Sequence, residues 1–134
     1  MSVVYDAGVL VAAERDDREV WGDHRVRLEL GVVPVATAPV VAQASRSARQ
    51  VQLRRFLRGC EIVGFAPGQA HEVGELLARA RSADVVDAHV VVTAADRGST
   101  ILTSDEGDLR RLSAGLHRPV EVRVVGGRGG RRRR

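Results

Sequence analysis

The chain has 134 residues, which suits one domain large enough to bury most of the surface its unfolded form would expose. Hydrophobic residues make up 44% of it, with no uninterrupted apolar run of bilayer-spanning length, so a soluble protein without a membrane partner is expected. The net charge of +4 comes from arginine alone, since there is no lysine, and this excludes a Walker-type phosphate loop.

In chain order, residues 2–5 read as a short buried strand with no basic segment of a secretory signal before it. Asp6 ends that strand, and residues 8–13 form the turn of helix that follows. Residues 17–30 place Val20, Trp21, His24 and Leu28 at spacings of three and four, an amphipathic helix stopped by Gly31. Residues 32–36 are a second strand, which Pro34 makes short or confines to an edge. Thr37 is an N-cap for a helix over 39–47, with Pro39 in its first turn. A basic amphipathic helix over 48–57 carries Arg49, Arg54 and Arg55, with Arg58 following. The single Cys60 reads as a small core residue in a reducing cytoplasm.

Residues 61–65 are a third strand and 69–80 a helix with Val73, Leu76, Leu77 and Ala80 inward. Residues 85–95 contain the strand-prone Val90-Val91-Val92-Thr93, but their length and alanine flanks favour a buried helix. A fourth strand over 100–103, a short helix over 106–114 and a fifth strand over 120–125 complete an alternation that predicts an α/β fold: one domain over 1–125, with a mostly parallel central sheet and helices on both faces. Residues 126–134, Gly-Gly-Arg-Gly-Gly-Arg-Arg-Arg-Arg, are low-complexity and expected to be disordered.

Five aspartates stand out because they interrupt or terminate apolar sequence. Asp6 and Asp105 follow strands, Asp84 and Asp87 are three apart on one helical face, and Asp108 lies near the start of a helix. Each has an ordinary explanation: Asp84 as an N-cap supported by Asp87, Asp108 at a positive helix end, Asp6 and Asp105 as turn residues. A parallel sheet, however, brings all of them towards the edge where its strands terminate, and ligands bind in the crevice there. Crowded carboxylates raise one another's pKa values and persist when a cation joins them. An oxygen-only donor set without lysine points to Mg²⁺ or Mn²⁺, and hence to a polyanionic substrate such as RNA. Arg46, Arg49, Arg54, Arg55 and Arg58 are candidate phosphate contacts, although aromatic stacking residues are scarce. A phosphoacceptor role for Asp6 is disfavoured by the missing lysine.

The sequence resembles the PIN-domain endoribonucleases, in particular VapC-type toxins of toxin–antitoxin pairs. The resemblance rests on the opening Val-Val-Tyr-Asp6-Ala-Gly-Val-Leu-Val-Ala, the central Asp84-Val-Val-Asp87-Ala-His, and Ile-Leu-Thr103-Ser-Asp105 followed by Asp108-Leu. It implies a metal site at Asp6, Asp87 and Asp105, accessory acids at Asp84 and Asp108, and a supporting role for Thr103. It further implies a Mg²⁺-dependent endoribonuclease, a cognate antitoxin lying across the acidic groove, and a homodimer. The chain departs from the family at Gln43, where a glutamate is usual: an amide carries no negative charge and cannot act as a general base. A catalytically weak module that binds RNA or antitoxin is therefore the alternative.

Overall fold

The computed structural model describes residues 2–126. Five strands, β1 (Val3–Tyr5), β2 (Val35–Thr37), β3 (Glu61–Val63), β4 (Thr100–Thr103) and β5 (Val122–Val124), form one sheet in the order β3-β2-β1-β4-β5, and every pairing is parallel. Seven helices connect them: α1 (Ala7–Glu14), α2 (Arg18–Glu29), α3 (Ala38–Ala44), α4 (Val51–Leu57), α5 (Ala70–Ala80), α6 (Val85–Arg97) and α7 (Gly107–Ala114). From β1 the chain steps outward through β2 to β3, then crosses back through α5 and α6 to β4 and on to β5. Right-handed crossovers in opposite directions put the two sets of helices on opposite faces. Accordingly α1 packs on α2, α3 and α4, while α5, α6 and α7 pack on one another. Covered on both sides, β1 is wholly buried, as its unbroken apolar sequence requires.

Pro34 does not place β2 at an edge. The strand lies between β1 and β3, and it is short because it begins after the proline, which has no N–H for the ladder. The helices expected over 39–47 and 48–57 are both shorter, and a side chain explains the difference. Gln50 Oε1 accepts from the backbone N–H groups of Arg46 and Ser47, and its Nε2 donates to Ala44 O, so residues 45–50 become a loop organised by one amide. Arg46 and Arg49 consequently sit on this loop rather than on helices. The Val85–Arg97 segment is a helix, and Val90, Val91 and Val92 are fully buried in it.

The end of β1 is held by a buried polar group that periodicity does not reveal. Tyr5 Oη lies 2.8 Å from His24 Nδ1 and accepts from Arg27 Nη1 at 3.3 Å, while Arg27 pairs with Asp23 at 2.6 Å. The His24 ring stacks on Phe56 with centroids 3.9 Å apart, tying α2 and α4 to the strand that ends in Asp6. Burial, and then the Arg27 charge, push His24 down to about 4, so it is a neutral acceptor for the tyrosine hydroxyl. Burial pushes the Cys60 thiol up to about 12, in keeping with a packing residue and not a nucleophile. Among the described residues no helix is long and apolar enough to cross a membrane. The segment expected to be disordered falls outside the described residues, apart from Gly126, which is buried.

Tyr5→Phe removes the hydroxyl but keeps the ring, leaving His24 Nδ1 without its buried partner. The variant is expected to lose about 1–3 kcal/mol in denaturant unfolding. An unchanged midpoint would show that this hydroxyl contributes nothing to holding the strand.

Candidate functional site

β1 and β4 are neighbours whose following helices leave to opposite faces, so the crevice between their carboxyl ends is the switch point of the sheet. The register Tyr5↔Leu102 continues one residue past the strand, with Asp6 N donating to Leu102 O at 3.1 Å. This sets Asp6 beside Thr103. Asp6 is only 8% exposed; its Oδ1 caps α1 by accepting from Val9 N, and its Oδ2 lies 2.7 Å from Thr103 Oγ1. The same hydroxyl lies 2.7 Å from Asp105 O and accepts from Asp105 N. Thr103 therefore couples the end of β1 to the turn that carries Asp105. Burial first, and among the smaller causes the charge of Asp105, push Asp6 up to about 6 against the lowering effect of its hydrogen bonds.

α6 leads into β4 at the amino-terminal edge of the sheet, so it runs back from the carboxyl edge and its N-terminus faces the crevice. Asp84 is its N-cap, with Oδ1 accepting from Asp87 N at 3.0 Å. A reciprocal capping box would have the Asp87 carboxylate accept from Asp84 N, but that N–H donates to Ser82 Oγ at 3.1 Å instead. Asp87 is thus half-buried and left out of the cap. Burial first, then the charges of Asp84, Asp6 and Asp108, push it up to about 7. The acids that follow β1, cap α6 and open α7 thus all oppose the ionisation of Asp87.

Asp105 is exposed and its Oδ1 accepts from Gly107 N, starting α7. Asp108 is exposed in the first turn and pairs with Arg111 at 3.1 Å, which gives it a surface role alongside its contribution to the field at Asp87. Gln43 is exposed on α3, a helix that packs against both α1 and α6. Two residues of the site were not singled out by sequence. Gly8 has no room for a side chain, because a Cβ there would stand 2.3 Å from Ser104 Oγ and 3.3 Å from Asp6 Oδ1. The only sequence signal was their position, two residues after Asp6 and one after Thr103.

The arginines are not gathered at this edge. Glu14, at the far end of α1 from Asp6, accepts from Leu53 N and starts α4 there, so Arg54, Arg55 and Arg58 follow a point about 12 Å along the helix axis from the acids. Arg55 lies over the Trp21 ring, 5.3 Å from its centroid, and Arg46 donates to Ala42 O and Ser45 O. A cleft of about 630 Å³ lies at the opposite, amino-terminal edge of the sheet, lined by Thr100 and Glu121 among others, and contains none of the aspartates. A groove of about 410 Å³ opens beside Asp6, between Gly8 and Ser104 on one side and Asp17 on the other.

Among the described residues, no three His, Cys, Asp or Glu side chains close to metal-binding distance. The hydrogen bonds explain this: Asp6, Asp84 and Asp105 each use an oxygen on local backbone. The donor set nevertheless fits a hard divalent ion, since Mg²⁺ takes one or two carboxylates and keeps several waters, and carboxylate oxygens keep lone pairs beyond these bonds, Asp6 on two oxygens that already accept from Val9 N and Thr103 Oγ1. Two of the five aspartates, Asp6 and Asp87, are held in an environment that disfavours their charge and that a cation would relieve.

Because both folded-state pKa values are raised, the folded protein holds protons that the unfolded chain has released. Their contribution to stability is full below about pH 4 and is lost as pH rises through about 6 to 7. In metal-free protein, Asp87→Asn should therefore raise stability at pH 8 by on the order of 1 kcal/mol, with the gain vanishing near pH 4. Destabilisation at pH 8 would instead assign Asp87 a purely structural part.

No curated protein matches the chain in sequence. The structure is similar to VapBC2 from Rickettsia felis bound to a DNA fragment from their promoter, with a TM-score of 0.71 at 16% identity over 92% of this chain and 98% of that one. It is similar to FitAcB from Neisseria gonorrhoeae, with a TM-score of 0.59 at 15% identity over 90% and 95%. It also resembles PAE2754 from Pyrobaculum aerophilum, with a TM-score of 0.61 at 16% identity over 91% and 89%. The family model for the PIN domain matches residues 3–115, a span that takes in all five aspartates. The chain belongs to the PIN domain family.

Proposed function

We propose that this PIN domain is a metal-dependent endoribonuclease and the toxin of a toxin–antitoxin pair, working in the cytoplasm on single-stranded RNA. The observation that supports it most is the half-buried Asp87 carboxyl, excluded from its own helix cap and pushed up first by burial and then by three neighbouring acids. Such an arrangement disfavours the metal-free ionised state and serves a cation site better than a scaffold.

In this reading Asp6, Asp87 and Asp105 hold Mg²⁺ or Mn²⁺, with Asp84 and Asp108 as accessory acids. When bound, the ion supplies a water of lowered pKa and offsets the charge that builds on a phosphodiester. Thr103 positions Asp6 and the Asp105 turn relative to each other. Gln43 can orient a polar group through its amide but cannot accept a proton in the reaction. RNA phosphates are drawn by Arg46, Arg49, Arg54, Arg55 and Arg58, which lie away from the acids and so serve strand binding. A cognate antitoxin across the acidic edge is supported by the resemblance to VapC-type toxins and by the likeness to VapBC2 and FitAcB. Homodimerisation follows from the same resemblance. The second reading, a module that binds RNA or antitoxin without cleaving, is favoured by one feature, the amide at position 43.

Incubation of the full chain with a mixed RNA pool in Mg²⁺, Mn²⁺ or chelator separates the two. Cleavage is expected only with metal, and Asp105→Asn should lose orders of magnitude, since groups acting as a unit contribute non-additively. Gln43→Glu should tighten metal binding and raise the rate, within the roughly 10²–10⁴-fold range of a positioned general base. Cleavage indifferent to chelator overturns the metal mechanism. Absence of cleavage, with RNA association weakened by Gln43→Glu, establishes the binding module.

A further inference from the structure

α1 buries Val9, Leu10 and Ala13 in the core and turns another side outward. Gly8, Val11, Ala12 and Arg15 stand at positions i, i+3, i+4 and i+7, so they form one stripe along the helix. This stripe is a wall of the groove of about 410 Å³, and Ser104 and Asp17 complete its described lining.

The groove has two unlike ends. At the first, Gly8 lies against Ser104 Oγ and Asp6 Oδ1, an approach that only the missing Cβ permits. At the other, Arg15 is the C-cap of α1, seven residues on from Gly8 and about 10 Å along the axis. Arg15 is exposed, and among the described residues it makes no ion pair. Between the two ends Val11 is 37% exposed, although Val9 and Leu10, the other large apolar side chains of α1, are buried. Asp17 caps α2 by accepting from Val20 N. The Arg15 end also adjoins the arginines of α4. Glu14 accepts from Leu53 N, Gln52 Nε2 donates to Asp16 Oδ1, and Arg55 donates to Gln52 Oε1. Arg15 thus stands between the acids at one end of α1 and the basic helix at the other.

We infer that this groove is the track of the RNA strand from the acidic edge to α4: it receives one nucleoside next to the reacting phosphodiester, with ribose and base against Ala12 and Val11, and Arg15 takes the phosphate on the far side. This rests on the reading of the acidic edge as the place of cleavage. The volume suits a single nucleoside, since small-ligand sites begin at about 300 Å³. Val11 and Ala12 offer apolar contact without a stacking ring or a hydrogen-bond code, so the groove accepts different bases. The carboxylates of Asp6 and Asp17 repel a phosphate, which leaves the Arg15 guanidinium as the point in the described lining that attracts one, through charge-assisted bonds.

The test uses the full chain and a short fluorescent single-stranded RNA in chelator, so that association is read without turnover. Arg15→Gln should weaken binding severalfold and flatten the slope of log K against log salt by about 0.7, the value of one phosphate contact on a single strand, whereas Arg15→Lys keeps the slope. Val11→Trp fills the groove without changing charge and should weaken binding at an unchanged slope. In the parent, the RNA should shift the backbone amides of Gly8, Val11 and Ser104. Parent-like affinity and slope in Arg15→Gln, parent-like affinity in a folded Val11→Trp, or RNA-induced shifts confined to α4 each overturn the inference. If Val11→Trp fails to fold, the Arg15 variants and the amide shifts decide. Cleavage of an RNA pool in Mg²⁺ is scored separately. RNA that is cleaved while its binding ignores Arg15 and the groove removes the track and leaves the nuclease reading. RNA that occupies the groove and is never cleaved keeps the track and removes that reading, and absence of RNA binding removes both.

Discussion

The arrangement of this edge depends on one hydroxyl. Thr103 Oγ1 has a single proton and faces two oxygens at 2.7 Å, Asp6 Oδ2 and Asp105 O. With Asp6 ionised, the hydroxyl donates to the carboxylate. With Asp6 protonated, the acid can donate to Thr103 and the hydroxyl turns to Asp105 O. Either way the ends of β1 and β4 stay joined, so the joint tolerates both charge states of an acid pushed up to about 6. Thr103 is fully buried, which keeps water from substituting for these bonds.

Around that joint the acids have two parts to play. Asp6 and Asp84 are N-caps, and Asp105 accepts from the first N–H of α7, so each has a structural role that would account for it alone. Helix starts at the carboxyl edge of a parallel sheet call for capping acids, and the topology assembles those acids in one place. Capping and clustering are therefore one consequence of the fold. Asp87 separates them, because Ser82 takes the hydrogen bond that would have given Asp87 a capping role.

Much of this was legible in the sequence where local rules act. Strand ends marked by aspartate, Thr37 capping α3 and Asp84 capping α6 all follow from side chains bonding within three residues. What escaped depends on contacts distant in sequence. Pro34 reads as an edge signal, yet β2 is interior because the crossover to β4 leaves β3 outside it. Arginines along 46–58 read as candidate phosphate contacts with no indication of where they lie, and Glu14 starts α4 at the far end of α1 from the acids. Gln50 falls within the helix expected over 48–57 and carries no local signal, yet its amide replaces two helix ends with a loop. His24 reads as one more residue on an amphipathic face, when its ring is the partner of Tyr5.

At the β1/β4 crevice the fold holds Asp6 and Asp87 in an environment that disfavours their charge, and the proposed cation site depends on it. Carboxyl ¹³C titration of Asp87 by NMR in metal-free protein tests it most directly. A midpoint near the value of about 7, falling by units when Mg²⁺ is added, is the result this account predicts. A midpoint in the ordinary aspartate range near 4, unmoved by Mg²⁺, would contradict it.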